Sequence, residues 1–117
     1  MNYVEGYLMP VKTAQMEHYR VMATKMAAIW RRLGALSVVE ARADHAPMGE
    51  VTSFPRAVLL EPDETVVFSY ITYHDRAHRD AVVAAAMQDP VMAEAMQDLD
   101  IDGRRMVWGG FEVIVAA

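Results

Sequence analysis

The chain contains no cysteine. That absence excludes disulfides, thiolate metal sites and a cysteine nucleophile together, and it suits a cytoplasmic setting. Long apolar runs are missing as well. Stretches such as residues 81–87 fall far short of the roughly 20 residues a membrane helix needs, so no membrane partner is expected. The first ten residues, MNYVEGYLMP, carry Glu5 and no basic cluster, so no secretory leader is expected. There is no GxSxG elbow, no P-loop and no HExxH motif, the arrangements that would announce a serine nucleophile, a nucleotide or a catalytic zinc. A basic stripe with interleaved aromatics is also lacking. The formal net charge is −5, which repels a phosphate backbone, so nucleic acid is not expected as a partner.

What the chain does have is apolar material, 54 % of its residues over a length of 117. That suffices for one α+β domain over 1–117 with one core. Its ten methionines fall mostly at helical spacings, where they read as adaptable core fillers. The organising stretch is 52–73. Its second half, VVFSYITY, is β-branched and aromatic almost throughout, a composition suited to a pleated surface. Val66, Phe68, Tyr70 and Thr72 share one face of that strand, and Val67, Ser69, Ile71 and Tyr73 the other. Neither set is polar, so both faces need cover.

Residues 3–9 alternate weakly around Gly6 and read as a first strand ended by Pro10, with Thr13 as a helix cap. Over 14–33 the apolar positions Met16, Tyr19, Ala23, Met26, Ala27, Trp30 and Leu33 recur at steps of three and four, predicting a helix closed by Gly34. A second strand is expected over 36–43. A turn-rich insertion follows, in which 57–60 reads equally as a hairpin partner or an extended arm. Asp75 caps a second helix to about residue 88, with Ala77, Ala81, Ala84 and Ala85 as its small-residue face. Asp89-Pro90 restarts helix, burying Val91, Met92, Ala95 and Met96. The last strand, 105–115, is interrupted by Gly109-Gly110, which suits a bulge or a close approach.

This order is a ferredoxin-like split βαβ sandwich with a hairpin or loop insertion, both helices on one side of an antiparallel sheet. The other side is left bare and apolar. A symmetric homodimer, sheet against sheet, is the expected remedy.

The segments YVEGYLMPV, VTSFPRAV followed by DETVVFSYITY, RAHRDAV and DGRRMVWGGFEVIV resemble the YbaA-like family, small bacterial proteins carried as a domain of unknown function. The resemblance spans nearly the whole chain. It implies a dimeric α+β barrel of two ferredoxin-like protomers and brings no established activity. The wider superfamily includes cofactor-free monooxygenases, haem-degrading enzymes and small-ligand sensors, so carrying an activity over from the fold is analogy.

Several residues stand out as site candidates, each with a plainer alternative. Ser53 and Arg56 of the SFPRA segment suit the mouth of a pocket between sheet and helices, Arg56 offering a donor fork for a carboxylate or phosphate. The plainer role is an ion pair of Arg56 with Glu61, Glu64 or an acid of a partner chain. Glu5 and Glu112 lie on neighbouring strands, where two close carboxylates make an acid/base pair; pairing with arginines is the ordinary alternative. His74 and His78 have a metal-like spacing but no third ligand, so no metal and no cofactor is expected. Tyr7, Tyr70 and Trp108 could line an aromatic pocket or simply serve core and interface. The expected function is therefore binding of a small anionic or aromatic molecule by a homodimeric barrel. The alternatives are a cofactor-free monooxygenase or isomerase using Tyr70 with Arg56 or Glu5, and an interaction protein with no small-molecule site. A pocket reaching Arg56 and a tyrosine supports the first two; a sheet–helix space filled solid supports the third.

Overall fold

A computed structural model describes residues 1–117. Its strands are β1 (Tyr3–Lys12), β2 (Ser37–Arg42), β3 (Glu64–Tyr73) and β4 (Val107–Glu112). Its helices are α1 (Met16–Arg32), α2 (Phe54–Ala57), α3 (Arg76–Met87) and α4 (Pro90–Asp98). The strands form one antiparallel sheet in the order β2-β3-β1-β4. This is the expected α+β ferredoxin-like arrangement, with α1, α3 and α4 packed on one side. No helix is long and apolar enough to cross a membrane.

β1 runs through Pro10 instead of stopping there, and the ladder explains why. The Leu36 and Ala43 amides donate to the Thr72 and Val66 carbonyls, so the even residues of β3 turn their backbone groups toward β2 and the odd ones toward β1. Pro10 stands opposite Val66 and therefore turns its missing N–H away from β3. On that side β4 has already ended, its last pair being Leu8 with Val107. No ladder bond is lost, and proline is tolerated as on an edge strand. Thr13 is not a side-chain cap; it opens a short 3₁₀ turn, Thr13–Gln15, that leads into α1.

The helix caps follow their sequence signals further on. Asp75 accepts the His78 amide at 2.8 Å, and Asp89 accepts those of Val91 and Met92 at 2.9 and 3.0 Å. The buried side of α3 is the correction here. Val82 and Ala86 are buried, whereas Ala77, Ala81, Ala84 and Ala85 face solvent. On α4, Met92 and Ala95 are buried but Val91 and Met96 are exposed. The insertion holds neither a hairpin nor an open arm. Ser53 caps the single turn α2 by accepting the Arg56 amide at 3.1 Å, and Pro55 occupies the first turn. Leu59, at φ +50°, closes that turn in the left-handed region most side chains avoid.

β4 is unbroken: Gly109 pairs with Gly6 and Gly110 with Glu5 in one continuous register. The glycines serve a close approach. The Tyr3 ring lies across Gly110, where a Cβ would sit 2.7 Å from Tyr3 Cζ and 2.9 Å from Cε2. Gly110→Ala is expected to destabilise the fold by about 1–3 kcal/mol through overpacking. Thermal unfolding should show the loss shrinking in a Tyr3→Leu background, while Gly103→Ala, with open space around it, has little effect.

The register also assigns the faces. Toward the helices point Tyr3, Glu5, Tyr7, Met9, Val67, Ser69, Ile71, Tyr73, Val38 and Glu40. The opposite face carries rows such as Ala41–Phe68–Leu8–Val107 and Val39–Tyr70–Gly6–Gly109. Nothing lies within 4 Å of a Cβ at Gly6, so the packing partner that its weak strand propensity invites is not supplied by this chain. Of the helical elements, α2 alone touches that face, at its margin, with Phe54 edge-on to Phe68 at 6.2 Å. Phe68, Val107 and Phe111 stay 44 %, 44 % and 60 % exposed.

Candidate functional site

The core on the helix side is not continuous. One buried cluster gathers Ile29, Trp30, Ala35, Ile71, Tyr73, Val82, Ala86 and Met92. A second gathers Met9, Val11, Tyr19, Ala23 and Val67. Between them is a cavity of about 280 Å³, walled by members of both, with the segment after α4 along one side. Its origin is visible in the sequence of α1. The helix presents Ala23 and Ala27 to the sheet, one turn apart, where larger side chains would close the gap.

Thirteen of the sixteen lining residues are hydrophobic, and the polar groups collect on the strands and on α1. Glu40, Ser69 and Tyr7 stand side by side across β2, β3 and β1, and Tyr19 reaches them from α1. The Tyr19 hydroxyl donates to Glu40 Oε1 at 2.8 Å and lies 3.4 Å from Met9 Sδ. Glu40 as a residue is exposed, being on the edge strand, but its carboxyl turns toward Tyr19 and the cavity. Burial raises the pKa of that carboxyl, while hydrogen bonds from Tyr19 and Ser69 pull it back. Burial, then the neighbouring carboxylates, push both the Tyr7 and Tyr19 phenols far above their usual range. The wall therefore presents two phenols, a hydroxyl and a carboxyl whose pKa burial raises. Such a set exchanges hydrogen bonds, or one proton, with a hydroxyl or carbonyl of a bound molecule.

Behind Tyr7 is a second polar cluster that does not line the cavity. Tyr7 donates to Glu5 Oε1 at 2.5 Å, and Arg79 of α3 donates to Glu5 Oε2 at 2.7 Å. Arg79 also holds Asp80 at 3.0 Å. The Tyr73 hydroxyl nearby is buried without a partner. Glu5 therefore fixes the Tyr7 phenol from behind.

The sequence-selected residues separate accordingly. Tyr7 and Glu5 come together, and only Tyr7 reaches the cavity. Glu112 pairs across from Tyr3, and its neighbours bring Glu5 no second carboxylate; the partner of Glu5 is Arg79. Trp108 lies beside Tyr7 in register but is 59 % exposed and outside the cavity. Tyr70 is on the opposite face beside Phe68, at 6.0 Å, so the sheet stands between it and Glu5. Ser53 and Arg56 are not at the mouth of the sheet–helix pocket. The Ser53 hydroxyl is occupied as a cap, and Arg56 donates to the Met48 and Gly49 carbonyls at 2.8 and 3.2 Å. Nor does Arg56 pair with Glu64, whose carboxylate takes two bonds of 2.7 Å from Arg105 and is thereby pulled down to a pKa of about 2. His78 Nδ1 accepts the His74 amide at 3.0 Å, a turn contact.

Glu40, Tyr19 and Ser69 were not foreseen. A carboxylate alternating into the apolar side of a strand is a signal of the kind that drew notice to Glu5, and Glu40 carries it too.

Residues 2–103 match the family described as protein of unknown function DUF1428. The chain is 43 % identical to the uncharacterized protein YbaA of Escherichia coli strain K12 over 115 residues, 98 % of both chains. The same figures hold for the YbaA of Shigella flexneri. Among solved structures it is similar to SnoaB, a cofactor-independent oxygenase from Streptomyces nogalater, with a TM-score of 0.59 and 13 % identity over 99 % of this chain and 97 % of that one. At that identity the likeness speaks for the fold alone.

Proposed function

The chain belongs to the DUF1428 family of proteins of unknown function, and from there we propose that it binds a small, largely aromatic molecule in the cavity between sheet and helices. The observation that carries this is the divided core. A cavity of about 280 Å³ is nearly twice the roughly 150 Å³ of a dry apolar cavity that accommodates benzene, which suits a fused or substituted ring. The lining favours an aromatic body. No basic side chain is among the cavity's lining residues, so an anionic group finds no partner there. The reading includes a homodimer closed through the bare sheet face, one folded unit per chain and a cytoplasmic setting, supported by the exposed apolar rows and the absence of cysteine.

A catalytic reading draws on Glu40. A carboxyl whose pKa is raised by burial, hydrogen-bonded to a phenol, is suited to take a proton from a hydroxy-aromatic. SnoaB, of like fold, is a cofactor-independent oxygenase, which lends analogy to such chemistry. One experiment addresses both. Trp30 lines the cavity, so in a Trp108→Phe background its emission reports occupancy. 2-Naphthol is expected to quench it saturably, and Ala27→Leu to weaken that binding about tenfold, a difference of ~1.4 kcal/mol. Quenching that never saturates, or that ignores Ala27→Leu, would sink the cavity as a site. Oxygen uptake with 1,4-dihydroxynaphthalene, lost on Glu40→Gln, supports the enzyme; binding without uptake supports the binder.

A further inference from the structure

The cavity has an annex. A groove of about 460 Å³ runs between α1 and β2, and it shares Tyr19, Ala23, Ala27, Val38 and Glu40 with the inner cavity. The two compartments are therefore adjacent, with the Tyr19–Glu40 hydrogen bond at their junction. Their chemistry differs. The groove adds Glu17, Arg20, Thr24 and Arg42 to the wall. Glu17 and Arg20 hold each other at 2.5 and 3.0 Å, and Thr24 is bonded to the Arg20 carbonyl at 2.7 Å. Arg42 is different. Of the eleven lysines and arginines, nine are tied to an acid or a carbonyl. Lys25 and Arg42 have no such partner, and of the two it is Arg42 that lines this groove.

We propose that inner cavity and outer groove form one site for an amphiphilic monocarboxylic acid, with its apolar body in the cavity and its carboxylate on Arg42. This rests on the cavity reading above and adds the head group. An unpaired guanidinium presents the planar donor fork that a carboxylate matches in two parallel bonds. The groove's other cation, Arg20, is already held by Glu17, so one free guanidinium is left to match one carboxylate. The head must clear the Tyr19–Glu40 junction, so a ring bearing its acid directly or through a short stem places the body inside and the charge outside.

The test compares a matched pair, 4-butylbenzoate and 4-butylbenzyl alcohol, by isothermal titration at pH 7 on the full chain. Wild type is expected to prefer the acid by about tenfold, the weight of a charge-assisted hydrogen bond at a half-open site. Raising ionic strength should shrink that ratio. In Arg42→Gln, which keeps the stem and a donor while removing the charge, the ratio should approach one, with the melting temperature checked to show the fold intact. No acid preference in wild type, or one that survives Arg42→Gln, overturns the assignment of the head group while leaving the cavity standing. If neither probe binds wild type although naphthol does, the amphiphile is wrong; if naphthol also fails, the cavity reading falls with it.

Discussion

Phe68→Asp is expected to leave the chain folded and to leave it monomeric. Phe68 belongs to the outward set of β3 and sits in the row Ala41–Phe68–Leu8–Val107. It is 44 % exposed and belongs to neither buried cluster, so the protomer loses mainly its contacts with Phe54 and Tyr70. In the two-fold sheet-against-sheet pairing proposed above, the same patch is used twice. One substitution would therefore place two carboxylates in that apolar interface. Uncompensated buried charge costs several kcal/mol per ion, so the dimer constant should weaken at least about a thousandfold. Sedimentation velocity at micromolar concentration reads this directly. Val21→Asp makes the control, because Val21 is 43 % exposed on α1, away from the bare face. A wild type that sediments as a monomer, or a Phe68→Asp chain that still pairs, removes the dimer.

The parts of the fold that local chemistry controls were open to reading from the sequence. The two faces of β3 follow from strict alternation. The long stripe of α1 shows its helix, and Asp75 and Asp89-Pro90 mark two helix starts by their capping oxygens. α2 was legible in principle, since Ser53 followed by Pro55 is a helix start; the following Leu59, in a conformation usually given to glycine, hid its end. Pro10 misled because its effect depends on where β4 stops, and that is a property of the sheet. The buried side of α3 misled for a related reason. Its alanines suggest close packing, yet Arg79 points inward because Glu5, 74 residues earlier, awaits it. The site divides along the same line. Tyr7 announces itself as an aromatic in a strand. The cavity is an absence between two clusters, produced by Ala23 and Ala27 on one element and Glu40 and Ser69 on two others, and no single stretch of sequence contains it.

Arg79→Ala is the substitution expected to harm the fold most. Glu5 is 3 % exposed, and its carboxylate has two partners: the Tyr7 hydroxyl at 2.5 Å and Arg79 at 2.7 Å. Burial works to lower the pKa of Arg79, but the hydrogen bonds to Glu5 and Asp80 overcome it and hold the guanidinium charged. Removing the arginine leaves a carboxylate enclosed by sheet and helix with one neutral donor, a change that costs about 3–5 kcal/mol. At about 4 °C per kcal/mol for a chain of this size, the melting temperature should fall by roughly 12 °C or more. The number alone does not identify the cause, since truncating a long stem also removes packing. The double replacement Glu5→Leu with Arg79→Met separates the two. It deletes both charges and keeps the volume, and buried ion pairs replaced in this way are often neutral or stabilising. If uncompensated charge is what harms Arg79→Ala, the double variant should melt well above it and approach wild type. If it melts as low as Arg79→Ala, the pair's hydrogen bonds are themselves required to hold α3 against β1. Naphthol binding in the double variant then reports whether Tyr7, freed from Glu5, still completes the cavity wall.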